Sequence, residues 1–224
     1  MQNFFRVSHL LLHKTSGLLT LLFFVSVMAF SQSPIPRDPN EVIIERGLGD
    51  QIFSFNVGTL VPLFSYNPNQ VDTKVEPLFS FTDRRLSLGV IGIIRWGAFV
   101  TPAINLGADV SWAFNFGANG DMLSQFSPIQ PRISGYLVRS GIIEVPVHLA
   151  LGMNIMSYKE STMVTPVVKT GASVLWNTRE DWAFGFNINY WIVPELYPSG
   201  SPIGISGNRI GNFLEVSASA LYNF

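Results

Sequence analysis

Few residues in this chain are able to do chemistry. Of its three histidines, His9 and His13 fall in the N-terminal segment, and His148 stands alone in the body of the sequence. His148 is spaced evenly from Glu144, so on an extended strand both side chains point to one side. With a serine such as Ser173 or Ser217 they would supply the base, its orienter and the nucleophile of a hydrolase. That side is the one turned away from lipid, as argued below, so a lipid substrate would not reach it and no catalytic residue is assigned. The chain lacks cysteine, which excludes disulfides, thiolate metal sites and a lipidated N-terminal cysteine. One histidine without cysteine excludes most transition-metal sites, and neither metal nor cofactor is expected.

A second set of candidates is electrostatic. Arg85, Arg95, Asp109, Arg132, Glu144, Lys169 and Glu215 occur roughly one per apolar segment, nearly balanced in sign. Together with His148 they form the polar and charged candidate site. If they share an interior, they read as a hydrogen-bonded plug, because buried charges need partners. The competing reading is a polar pathway for a small solute, with Lys169 and Asp109 as its constriction.

Which reading applies depends on the elements that carry these residues. Charged residues make up 13% of the 224, about half the roughly 25% of soluble domains, while aromatics reach 13% with 18 Phe. The net charge of -1 gives no basic footprint for nucleic acid. Arg6, His9, His13 and Lys14 precede an apolar run over residues 17–29, followed by Ala29-Phe30-Ser31, which suits a signal peptidase. Residues 1–31 are therefore expected to be a signal peptide, residues 32–49 a proline-rich periplasmic leader and residues 50–224 the folded domain. The leader reads as a disordered segment or as one that tucks under the domain. After residue 31 no apolar run is long enough for a spanning helix. A closed barrel is the other structure that satisfies every backbone group in lipid.

From Asp50 onward the chain alternates with period two, the rhythm of a strand with two unlike faces. Phe53, Phe55, Val57, Thr59 and Val61 oppose Ser54, Asn56 and Gly58. The clearest case sets Ile104, Leu106, Ala108, Val110, Trp112, Phe114 and Phe116 against Asn105, Gly107, Asp109, Ser111 and Asn115. The second segment carries Leu86, Leu88, Val90, Ile94 and Trp96 against Arg85, Ser87, Gly89 and Arg95. Eight such segments can be counted. The fourth, near residues 123–137, is the weakest because it contains Pro128 and Pro131, which cannot donate to a ladder. Links at 97–102, 138–141 and 177–181 are tight, whereas those after the odd-numbered segments, such as 62–84 and 193–208, are expected to be longer. Short periplasmic turns and long outer loops are the pattern of an outer-membrane barrel. The expected fold is all-β: an eight-stranded antiparallel up-and-down transmembrane β-barrel.

A soluble barrel with an apolar interior would show the same alternation. Its exterior would be crowded with Lys and Glu, whereas here the polar face is mostly Gly, Ser and Asn with sparse charge. Every charge placed within a segment has the parity of those small residues, and the opposite parity carries none. Trp96, Trp176 and Trp182 flank the tight links on the apolar parity, where an aromatic girdle belongs.

The last stretch, Leu214-Glu215-Val216-Ser217-Ala218-Ser219-Ala220-Leu221-Tyr222-Asn223-Phe224, resembles the C-terminal strand of outer-membrane proteins. In those families an aromatic terminus with alternating apolar residues is read by the barrel-assembly machinery, which makes Tyr222 and Phe224 the assembly signal here. Pro62-Leu63-Phe64 and Val145-Pro146-Val147, followed by Leu149-Ala150-Leu151-Gly152-Met153-Asn154, look like small OmpW-like eight-stranded proteins, including those of spirochaetes. The resemblance implies the outer membrane of a diderm bacterium after signal-dependent export, with membrane lipid and the assembly machinery as partners. It also implies a narrow channel or carrier for small or hydrophobic compounds. The alternative is a non-conducting structural or adhesive barrel acting through its extracellular loops.

Overall fold

The computed structural model describes residues 46–69, 75–78, 86–116, 122–140, 142–158, 161–178, 181–196 and 208–224. The expected signal peptide over residues 1–31, most of the expected leader over residues 32–49 and Arg85 lie outside the described residues. Nine strands follow in order: β1 (Gln51–Tyr66), β2 (Val75–Pro77), β3 (Gly89–Thr101), β4 (Ile104–Phe116), β5 (Met122–Ser140), β6 (Ile143–Tyr158), β7 (Ser161–Asn177), β8 (Trp182–Glu195) and β9 (Arg209–Asn223). From β3 to β9 each pairs antiparallel with its successor, and β1 pairs with both β3 and β9. The ladder therefore closes on itself with eight strands, and no backbone edge is left for lipid to solvate. The ninth strand, β2, pairs only with Phe64–Tyr66 of β1, beyond the Gln51–Leu60 stretch that β3 occupies.

Alternation puts the apolar side chains outside. In β1, Phe55 and Val57 are 54% and 70% exposed, while Ser54 and Asn56 are each 1% exposed. β8 repeats this, with Phe184, Phe186 and Ile188 exposed and Asn187 and Asn189 buried. A chain whose exposed face is apolar and whose interior is polar is folded for lipid. Trp96, Trp112, Trp176 and Trp182 all project outward, and Trp182 packs on Tyr222 at the end of the barrel that carries both chain termini of the ladder.

Three expectations are corrected. The segment with two prolines is the longest strand, 19 residues. Pairing of β5 with β4 lapses between Ile129 and Phe126, beside Pro128, and pairing with β6 lapses between Ile129 and Arg132, beside Pro131. A proline removes a donor from one neighbour only, and these two face opposite neighbours, so neither ladder loses more than a local stretch. Second, the outer links are not uniformly long. β4 joins β5 through residues 117–121 and β6 joins β7 through residues 159–160, because β5, β6 and β7 continue their ladder upward to Ser124↔Tyr158 and Tyr158↔Ser161. The long outer connections are those after β1 and β8. Third, Leu86, assigned to the lipid face, packs against an interior cluster.

The interior is layered. Toward the end away from the two ends of the ladder, Leu60, Ile91, Ile93, Phe126, Met156, Val167, Trp191 and Phe213 form an apolar cluster, with Phe126 and Phe213 edge to face at 5.1 Å. Toward the end that carries Gln51 and Asn223 a smaller cluster joins Ile52, Phe99, Tyr136, Leu175, Ala183 and Leu221. Between them lies the polar layer. The inward face thus carries two apolar clusters on either side of the charged layer, with further polar residues such as Glu144 and Asn212 buried toward the two ends.

Candidate functional site: the charged lumen layer

Asp109 is the hub of the polar layer. It projects inward from β4, directly opposite Arg95 of β3 on one side and Gln130 of β5 on the other. Arg95 grips it with two bonds, Nε to Oδ1 at 3.1 Å and Nη2 to Oδ2 at 3.3 Å. Arg132, the next inward residue of β5 after Gln130, brings its Nε to 3.0 Å from Oδ1, and Lys169 reaches from β7 to place Nζ 2.8 Å from Oδ2. The last two contacts lie out of line for directed hydrogen bonds and act through charge. Asp109 and Lys169 are fully buried. One carboxylate thus gathers cations from three strands, a fork-shaped guanidinium geometry suited to it.

Glu215 has a different environment. Asn189 Nδ2 donates to it at 2.6 Å, Trp191 Nε1 at 2.8 Å and Ser217 Oγ at 2.9 Å. Trp191 links the two carboxylates, since Lys169 Nζ lies 5.3 Å from its ring centroid. Glu144 lies lower, where Arg46 enters the barrel ahead of β1 and donates to both its oxygens. The Arg46 guanidinium also lies over the Phe99 and Tyr136 rings at 4.8 and 5.3 Å. A turn directs it there: Gly49, at a φ of 94° that favours glycine, donates to the Phe99 carbonyl, and Gly47 donates to the Asp50 carboxylate.

The described lumen candidates, Arg95, Asp109, Arg132, Glu144, His148, Lys169 and Glu215, are all buried inside the barrel. Arg95, Asp109, Arg132 and Lys169 are brought together, whereas Glu144 belongs to Arg46. The hydrolase arrangement is not assembled. Ser173 Oγ donates to Asn187, Ser217 Oγ to Glu215, and Glu144 is occupied by Arg46, while neither nitrogen of His148 has a hydrogen-bond partner. Trp191 and Gln130 were missed as site residues. Trp191 shares the parity of Asn187 and Asn189, so the alternation places it inward, but an uncharged indole carries no signal of a charged site. Arg46 precedes the first periodic segment and carries no such signal. At the C-terminus, the Tyr222 and Phe224 rings stack at 6.1 Å, and Phe224 is exposed.

A closed eight-stranded antiparallel barrel with an apolar exterior and a charge-locked interior defines a small transmembrane β-barrel protein. Its fold is similar to that of Neisserial surface protein A, at a TM-score of 0.52 and 11% identity, over 79% of this chain and 97% of that one. The outer membrane protein OprG from Pseudomonas aeruginosa matches with a TM-score of 0.47 and 10% identity, over 81% of this chain and 99% of that one. An uncharacterized protein of Borreliella burgdorferi is 23% identical over 159 residues, 60% of this chain and 69% of the relative. A family model matches residues 35–222. The chain belongs to that family, one of small outer-membrane β-barrel proteins of spirochaetal type.

Proposed function

We propose that the protein is a non-conducting outer-membrane barrel that works at the cell surface through its outer rim and loops. The observation that carries this reading is the arrest of the lumen at mid-height: Asp109 is held by Arg95, Arg132 and Lys169 between two apolar clusters. A permeating ion would have to displace a carboxylate from three cations and cross two dehydrated layers, which a conduction path avoids. The interior of an eight-stranded barrel is just wide enough for side chains to fill it, so sealing needs no loop or plug domain. The chain reaches the outer membrane after removal of residues 1–31, and the assembly machinery reads its last strand through Tyr222 and Phe224.

The apolar cluster of the outer half favours a second reading, a carrier that admits a small hydrophobic solute from outside and releases it sideways into lipid. Leu78 and Leu86 flank that cluster near the rim. Conductance of the full chain refolded into a planar bilayer tests the primary reading. Electrical silence is the expected result. Discrete steps whose size changes in Lys169→Gln or Asp109→Asn would replace it with the channel, constricted at those residues. Uptake of an apolar dye into barrel-containing vesicles, without conductance, would favour the carrier.

A further inference from the structure

We propose that Phe99, Tyr136 and Glu144 form a binding site for one alkylguanidinium cation, which Arg46 fills from within the chain. The space is demonstrated by the group that occupies it. Arg46 Nε donates to Glu144 Oε1 at 3.1 Å and Nη2 donates to Oε2, so each carboxylate oxygen has its own donor on one planar head. The Arg46 Cζ atom lies 4.8 Å from the Phe99 ring centroid and 5.3 Å from that of Tyr136. Those two rings are 5.1 Å apart and inclined at 48°, and so make an aromatic corner around the cation. The guanidinium side chain and the carboxylate are both buried. An ammonium is a point charge that lacks the planar fork and does not stack on a ring, so the arrangement selects a guanidinium.

The walls of the site are held by the barrel and not by Arg46. Phe99 comes from β3, Tyr136 from β5 and Glu144 from β6. The Phe99 amide donates to the Asp50 carbonyl, and its own carbonyl accepts from Gly49. The Tyr136 amide donates to the Ala103 carbonyl, and Tyr136 is in register with Pro146 of β6. Glu144 is in register with Leu175 of β7. Both rings belong to the apolar cluster completed by Ile52, Leu175, Ala183 and Leu221, which fixes their planes.

The arm that delivers Arg46 is built differently. Residues 47–50 form an exposed turn with glycine at 47 and 49. Leu48, the apolar residue of that turn, is 80% exposed and does not hold the arm down by packing. Burial resumes at Arg46 itself. A rigid site is therefore filled by a ligand on an exposed, glycine-bearing arm. A buried carboxylate deprived of its cation is strongly destabilising, so the emptied site takes a replacement of the same chemistry from solution. Arg46 is an exchangeable ligand of a preformed guanidinium site, whether or not the lumen conducts.

Chemical rescue tests this, because a cation bound only by the folded barrel raises its stability. The full chain carrying Arg46→Ala is refolded in detergent. Its heat-unfolding midpoint is compared in ethylguanidinium chloride and in ethylammonium chloride at equal concentration. The midpoint is expected to lie below that of the unmodified barrel, to rise towards it in ethylguanidinium and to stay low in ethylammonium. The unmodified barrel, its site already filled, should show no difference between the salts, and neither should Arg46→Ala combined with Glu144→Gln. Absence of recovery in ethylguanidinium would overturn the site, as would equal recovery in both salts or recovery in the double variant. If Arg46→Ala folds in neither salt, Arg46→Lys, which keeps the charge, takes its place. A lowered midpoint that ethylguanidinium raises and ethylammonium does not would support the site, and every other result would overturn it.

Discussion

Asp109 offers two oxygens to three cations, and Arg95, Arg132 and Lys169 have no other carboxylate within contact distance among the described residues. Removing one partner from a buried charge set costs about 3–5 kcal/mol, mostly from the charges left behind. Asp109→Asn is therefore expected to lower the unfolding free energy of the refolded barrel, read from urea titration, by that order. Lys169→Met should cost clearly less, since two guanidinium groups still neutralise the carboxylate. A larger loss for Lys169→Met than for Asp109→Asn would mean that the hub is not Asp109. Arg46 permits a second test at this scale. Its side chain is buried against Glu144, Phe99 and Tyr136, so trypsin is expected to spare the Arg46–Gly47 bond in the intact barrel. Glu144→Gln should expose that bond to cleavage, read by mass spectrometry of the N-terminal fragment; equal cleavage in both would deny the anchor.

Among the elements, the close contact of β3 and β4 at Gly107 leaves no room for a side chain. A Cβ built there would lie 2.1 Å from the Trp96 carbonyl oxygen and 2.7 Å from the Gly97 Cα, both backbone atoms that cannot swing aside. Gly107→Val is expected to separate the two strands locally and cost about 1–3 kcal/mol, the range of overpacking. Heat-induced loss of the compact gel form measures it, and an unchanged midpoint would show that the sheet relaxes there. The paired prolines of β5 carry the opposite lesson. Pro128 and Pro131 read as a weak strand because each lacks a donor, yet their odd spacing sends the two defects to different neighbours. Outer links were misjudged for a related reason. Residues 161–167 of β7 pair with residues 152–158 of β6, up to Tyr158↔Ser161, and polar Ser, Thr and Pro in that stretch resemble loop until the partner strand is seen.

The whole barrel divides its tryptophans by environment. Trp96, Trp176 and Trp182 are exposed near the end that carries Gln51 and Asn223 and Trp112 on the outer surface of β4, whereas Trp191 is fully buried in the lumen. In single-tryptophan variants reconstituted in lipid brominated along the acyl chain, the four outer positions should be quenched. Trp191 should be spared by the brominated lipid, and also by aqueous acrylamide, because its fully buried ring is itself part of an apolar cluster inside the lumen. Strong lipid quenching of Trp191 would reverse the assignment of faces.

The amino-acid sequence by itself determined the all-β barrel, its eight crossing strands and the inward parity of Arg95, Asp109, Arg132, Glu144, His148, Lys169 and Glu215. Each of these follows from a period of two, and a single strand facing lipid on one side is enough to impose it. Only the tertiary structure decided that Asp109 collects Arg95, Arg132 and Lys169 while Glu144 takes Arg46 and Glu215 takes neutral donors. It also decided that Ile91, Ile93, Phe99 and Trp191, inward by parity, gather into two apolar clusters on either side of the charged layer. The physical reason is that parity states which face a residue occupies and says nothing of its height. Height across the lumen depends on strand stagger and tilt, which are properties of the closed ladder and of no strand taken singly.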